Sequence, residues 1–188
     1  MLEHGNLLSE SEFETMNSQS DKLMEFINGQ VFMMASPSWA HQQVSLRLGA
    51  TFLEYFEDCD CDPVLAPFDI ILTKENDEKQ WVIPDLAVIC DKNGLDTQRY
   101  HGVPNLVVEI LSKSNQHHDL VTKMNLYARY GVQEYWIVNP FNQTVSIYSL
   151  DPETGHYIQD LIALNGNIES RIFSGLLVDV DRLFPKLN

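Results

Sequence analysis

The sequence predicts an α/β fold in which a mixed β-sheet is flanked by helices. Three observations carry this. The stretches VLAPFDIILT, WVIPDLAVIC and NLVVEIL are mainly apolar, follow one another with polar turns between them, and read as sheet strands. An amphipathic helix precedes them, and a second helix follows them and leads into another strand, EYWIVNP. Short connections make the first three strands antiparallel neighbours, whereas a strand reached by a helical crossover lies parallel to its neighbour.

Each element has a local signature. Ser9-Glu10-Ser11-Glu12 before Phe13 and Met16 is a capping-box pattern that opens a short helix. KLMEFINGQVFMMAS reads as two strands joined at Asn28-Gly29, the strongest short hairpin signal. Ser36-Pro37-Ser38 introduces the long helix, from about Ser38 to Glu57, with Val44, Leu46, Leu48, Phe52, Leu53 and Phe56 as its apolar stripe. Asn115 to Tyr130 is helical, and Gly131 is placed to stop it. FNQ turns EYWIVNP into TVSIYSL; short C-terminal strands follow, then a brief helix near Val180 to Leu183. No repeat, low-complexity tract or Gly/Ser linker interrupts the chain, so residues 1–188 read as one domain.

At 188 residues, with 44% apolar and 21% charged residues, the composition is that of an ordinary globular protein. The start, MLEHGNLLSE, lacks the basic and apolar regions of a signal peptide, and no run approaches the roughly 18 apolar residues of a membrane span. A cytoplasmic protein without a membrane partner is expected. Cys59, Cys61 and Cys90 form an odd set without a disulfide framework and read as reduced, inert thiols. Cys59-Asp60-Cys61 has no second pair to complete a zinc site, and His117-His118 are neighbours that a helix points about 100° apart. A net charge of −15 argues against loose affinity for nucleic acid, which clustered Lys and Arg normally supply. EYWIVNP and the later strands carry more apolar and aromatic surface than a chain of this size easily covers, which predicts a homodimer.

The chemistry lies in acids placed where acids are costly. In PNLVVEILSKS, Glu109 stands alone within an apolar strand, and Asp85 stands alone in IPDLAV. Burying an ionised carboxylate costs several kcal/mol or more unless a positive partner meets it. Two inward acids on consecutive strands repel unless one is neutral or a cation lies between them. Magnesium suits such oxygens, taking one or two carboxylates and keeping several waters. The alternative is that each acid caps a loop or pairs with a buried Arg or Lys. Pro84 cannot donate to a ladder and marks an edge or a distortion beside Asp85. Lys123 shares helical spacing with Leu120, Tyr127 and Tyr130, so it points inward toward the acids or pairs with Asp119 at the surface.

Pro84-Asp85 followed by Glu109, within a helix–strand–strand–strand–helix–strand order, resembles the PD-(D/E)XK nuclease superfamily. The wider string is more closely similar to the Uma-two family of restriction-endonuclease-like proteins: His101-Gly102, Pro104, Val108-Glu109-Ile110-Leu111-Ser112, Ser114, Asp119, Lys123, Tyr127, Gly131-Val132, Glu134-Tyr135-Trp136 and Pro140, with Asn28-Gly29, Ser36-Pro37 and His41 upstream. The resemblance implies a restriction-endonuclease-like core, with the N-terminal hairpin and C-terminal strands added to it. It implies Asp85, Glu109 and the Ile110 carbonyl as ligands of Mg2+ or Mn2+, and Lys123 as the catalytic lysine. It also places His41 and Glu25 at the cleft.

Departures remain. Leu111 occupies the usual lysine position two residues after the acid, and Lys113 shares the strand parity of Glu109 and competes with Lys123. His41 reads equally as a helix-start residue bonded to backbone, and Glu25 as a surface acid on the hairpin. The function implied is metal-dependent phosphodiester hydrolysis by an endonuclease acting on nucleic acid, most simply DNA. Against an acidic chain this requires local clustering of Lys113, Lys123 and Arg129, with Lys92 and Arg99 nearby. The alternative is a non-catalytic interaction or regulatory module on a nuclease fold.

Overall fold

The computed structural model describes residues 7–74, 78–112 and 118–185. The first helix, α1 (Glu10–Ser18), begins at the expected capping box: Ser9 Oγ accepts from Glu12 N–H while the Glu12 carboxylate accepts from Ser9 N–H at 2.8 Å. Strands β1 (Met24–Ile27) and β2 (Gln30–Met33) pair antiparallel across a turn in which Asn28 and Gly29 take φ of 50° and 80°. Two successive left-handed residues are what a two-residue hairpin turn requires. Helix α2 (Trp39–Phe56) is capped by Ser38, whose Oγ accepts from His41 N–H.

The next stretches divide more finely than their apolar runs suggest. VLAPFDIILT holds β3 (Asp62–Leu65) and β4 (Asp69–Leu72), and WVIPDLAVIC holds β5 (Gln80–Val82) and β6 (Leu86–Ile89). Each run is broken at a proline, Pro67 or Pro84, which has no N–H to give a ladder. The halves on either side of each break enter different sheets. Strands β7 (Arg99–His101) and β8 (Leu106–Ile110) follow. A wide π-helical turn, His118–Lys123, then runs into α3 (Met124–Tyr130), stopped by Gly131 at φ 93°. Residues 115–117 of the expected helix lie outside the described residues. The chain ends with β9 (Glu134–Asn139), β10 (Thr144–Leu150), β11 (Tyr157–Ala163), β12 (Asn167–Glu169), β13 (Leu177–Asp179) and α4 (Val180–Leu183).

One sheet has the order β11-β10-β9-β8-β6-β3, with β8 and β9 parallel and its other pairs antiparallel. A second sheet has the order β2-β1-β5-β4-β7, and β12 pairs with β13 alone. Alternation along β8 and β9 sends Leu106, Val108, Trp136 and Val138 to pack against Val44, Leu48, Phe52 and Phe56 of α2. Val107, Tyr135 and Ile137 face the other way, against Leu126, Tyr127 and Tyr130 of α3 and against Ile70, Leu72 and Val82 of the second sheet. The outer side of that second sheet is covered by Phe13 of α1, stacked on Phe26 at 4.8 Å. Among the described residues no helix is long and apolar enough to cross a membrane.

Three expectations need correction. Leu46 and Leu53 are not part of the buried stripe of α2; they are 64% and 65% exposed, because the sheet contacts the i, i+4 row through Val44, Leu48, Phe52 and Phe56. EYWIVNP is not spare apolar surface: β9 lies between β8 and β10, and Glu134–Val138 are buried. The cysteines are not all free thiols. The β3–β6 register, with Asp62 opposite Ile89, puts Cys61 across from Cys90, and the two form a disulfide; Cys59 remains free and exposed. Only the register reveals that pairing. The bridge spans a sequence separation of 29, for which loop closure predicts about 3–4 kcal/mol. Reductant should therefore lower the unfolding midpoint of the wild type and leave Cys61→Ser unaffected; equal effects on both would remove the disulfide from the account.

Candidate active site

Pro84 ends β5, and the chain bends at Asp85 before β6 begins. Asp85 is thereby turned toward the end of β8, where its Oδ2 accepts the Ile110 backbone N–H at 2.7 Å. Its Oδ1 lies 3.1 Å from His41 Nε2, delivered by the first turn of α2. Glu109 shares strand parity with Val107 and Leu111, so its side chain leaves the sheet on the α3 side. There its Oε1 accepts from Lys123 Nζ at 2.9 Å and from the Tyr127 hydroxyl at 2.8 Å. Lys123 sits where the π-helical turn passes into α3, and its Nζ also reaches Glu25 Oε1 at 2.9 Å. Glu25 Oε1 in turn accepts the Ile83 N–H at 2.8 Å.

Glu25, Glu109 and Lys123 are each 3% exposed. That overturns the reading of Glu25 as a surface acid of the hairpin. Its carboxylate projects from the sheet face onto Lys123 and the Ile83 N–H, which cover it. It also separates the two readings of Lys123, which is inward and clamped between two carboxylates. Glu109 therefore meets an ammonium and a phenol from its own chain. Tyr127, which spacing placed only in the apolar stripe, belongs to this cluster, and its i+4 relation to Lys123 is the signal that could have included it. Burial first, then the Glu109 and Glu25 carboxylates, holds the Tyr127 hydroxyl well above the usual phenol range, so it stays a proton donor.

The cluster opens into a cavity of about 380 Å3, lined by Glu25, His41, Asp85, Glu109, Ile110 and Lys123 among others. Its lining has three carboxylates and two permanent cations, Lys22 and Lys123. Among the described residues the wider basic cluster expected around it does not assemble. Lys92 pairs with Asp62 at 2.7 Å, and the Arg129 guanidinium lies 5.6 Å from the centre of the Tyr130 ring. Neither these two nor Arg99 lines the cavity, and Lys113 is outside the described residues. Lys92 and Arg129 have partners of their own, which sequence proximity to the motif does not show.

Among the described residues no group of three or more His, Cys, Asp or Glu side chains is arranged to hold a metal. A zinc-type site built wholly from side chains is therefore not formed by them. Asp85 and Glu109, which line the cavity with Ile110, are hard oxygen donors. They fit an ion that takes one or two carboxylates and keeps much of its water.

The family model Uma2, described as a putative restriction endonuclease, matches residues 10–181. Two uncharacterized proteins of Synechocystis sp. (strain ATCC 27184 / PCC 6803 / Kazusa) are similar. Protein slr1290 is 28% identical over 142 residues, 75% of this chain and 73% of its own. Protein sll1609 is 22% identical over 166 residues, 87% of this chain and 92% of its own. The crystal structure of a putative nuclease belonging to DUF820 from Anabaena variabilis ATCC 29413 superposes with a TM-score of 0.75 at 16% identity, covering 94% of this chain and 97% of that one. The two share a fold, a mixed α/β architecture of the restriction-endonuclease-like kind. With nearly its whole length matched by the family model, the chain belongs to the Uma2 family.

Proposed function

We propose that this protein is a phosphodiesterase of the nuclease type that works with Mg2+ or Mn2+. The observation that carries the proposal is that Asp85, Glu109 and Lys123, from three separate parts of the chain, converge on one cavity together with His41. Asp85, Glu109 and the Ile110 carbonyl would hold the ion. When bound, such an ion lowers the pKa of water and stabilises charge on a phosphoryl oxygen. The protein's own residues supply position and charge. Lys123 is fixed by Glu25 and Glu109, so its ammonium faces the scissile phosphate without reorganising and offsets transition-state charge. Tyr127 fixes the rotamer of Glu109, and His41 does the same for Asp85.

The chemistry can be tested apart from any nucleic-acid preference. Purified protein should hydrolyse bis(p-nitrophenyl) phosphate only with Mg2+ or Mn2+, and Asp85→Ala should not. A metal-independent rate equal in both proteins would defeat the proposal. Metal binding has a separate readout: a ligand selective for the folded state, at about a hundred times its Kd, stabilises by about 2.7 kcal/mol. Glu109→Gln should lose that response. Its apo form should lose only about 1–2 kcal/mol, because Lys123 keeps Glu25 as a counterion. The net charge of −15 favours the second reading, a non-catalytic module, and a protein inert in both assays would support it.

A homodimer belongs to the same proposal. Its support is the outward side of α2, where Trp39, Leu46 and Leu53 are each more than half exposed. In a strongly acidic chain, Trp39–Leu53 contains no carboxylate, so a two-fold contact there sets no acids of this stretch against each other. Sedimentation at micromolar concentration should show a dimer that Leu46→Glu dissociates; a wild-type monomer would exclude it.

A further inference from the structure

Resting on the phosphodiesterase reading, we propose that the substrate is an unpaired nucleotide segment, a single-stranded end or short oligonucleotide, rather than continuous duplex. The acids line a cavity of about 380 Å3. That volume is at the small end of ligand pockets and suits about one nucleotide unit. A paired nucleotide reaches such a pocket only by leaving its stack.

The lining gives that unit a place for its base. Leu23 and Met34, tied by Met34 N–H donating to the Leu23 carbonyl at 3.1 Å, line the cavity with Pro37. Ala66 donates its N–H to the Asp85 carbonyl at 3.1 Å, which sets Pro67 beside the acids. An apolar surface next to a phosphoryl site takes a base by its face, which every base possesses. Among the described residues the charge distribution argues against the alternative. Duplex binders commonly neutralise six to ten phosphates with Lys and Arg, whereas the two permanent cations of this lining are Lys22, exposed at the rim, and Lys123, clamped between carboxylates. Lys74, Lys79 and Lys92 are engaged elsewhere by the Arg129 carbonyl, Glu10 and Asp62, so they form no track leading to the cavity.

The experiment compares a 12-residue single-stranded oligonucleotide, its blunt duplex, and bis(p-nitrophenyl) phosphate, each with the wild-type chain and Mn2+. The expected kcat/KM for the single strand, DNA or RNA, exceeds that for the duplex at least about tenfold, the duplex having to unstack and unpair. Met34 is only partly buried, so Met34→Ala spares the core; it should raise KM for the oligonucleotide roughly fivefold with kcat nearly unchanged. Duplex cleaved as fast as single strand, or bis(p-nitrophenyl) phosphate hydrolysed while both oligonucleotides survive, would overturn this inference and leave the phosphodiesterase reading standing. Loss in kcat alone for Met34→Ala would overturn the base-binding wall. Hydrolysis of none of the three would overturn both.

Discussion

Lys123→Ala is expected to lower metal-dependent hydrolysis at least about a hundredfold, the scale of a lost transition-state charge partner. The same change should destabilise the fold by about 3–5 kcal/mol, because it leaves Glu25 and Glu109 buried and facing each other without their shared counterion. Both effects follow from one nitrogen at 2.9 Å from each carboxylate, and they must be separated. Assays well below the melting temperature of the variant do so, since the activity loss should persist where the protein is fully folded. Lys113→Ala provides the contrast. Lys113 stands two residues beyond the usual lysine position, which Leu111 occupies. Its loss should weaken substrate affinity and its salt dependence while sparing turnover. Were Lys113→Ala inactive and Lys123→Ala active, the catalytic assignment would be reversed.

Glu134→Ala should produce a comparable loss of stability with no chemistry attached. Glu134 opens β9, is fully buried, and is not among the residues lining the cavity. Its carboxylate accepts the Trp136 indole N–H at 2.6 Å, the Ser170 hydroxyl at 2.7 Å, and the backbone N–H groups of Arg171 and Ile172, each at 3.1 Å. One side chain thus fastens the loop before β13 to the central sheet. Alanine there strands several donors in a place water does not reach, at about 3–5 kcal/mol in total. For a chain of this length that is roughly 10 °C in melting temperature. Denaturant unfolding measures it directly, and a change under 1 kcal/mol would mean the loop finds other acceptors. Activity at low temperature should be retained, which distinguishes this buried acid from Asp85 and Glu109.

What the sequence determined by itself was what neighbouring residues decide. Ser9 with Glu12, Asn28-Gly29, Ser38 before α2 and Gly131 after α3 each satisfy backbone groups within a few residues, so their turn and cap chemistry was legible without a fold. The isolation of Asp85 and Glu109 in apolar runs was legible for the same reason: a costly residue in a costly place signals a partner. Which partner was left to the tertiary structure. Glu25 is distant in sequence from Lys123 and carries no local mark of burial, yet β1 enters the middle of a sheet and brings the two within hydrogen-bond reach. The split of two apolar runs between two sheets, the Cys61–Cys90 bridge and the exposure of Leu46 and Leu53 likewise depend on registers and helix faces set between distant segments. Local chemistry writes the elements, but the energy of a buried ion pair depends on what long-range packing puts beside each charge, and no window of the sequence contains that.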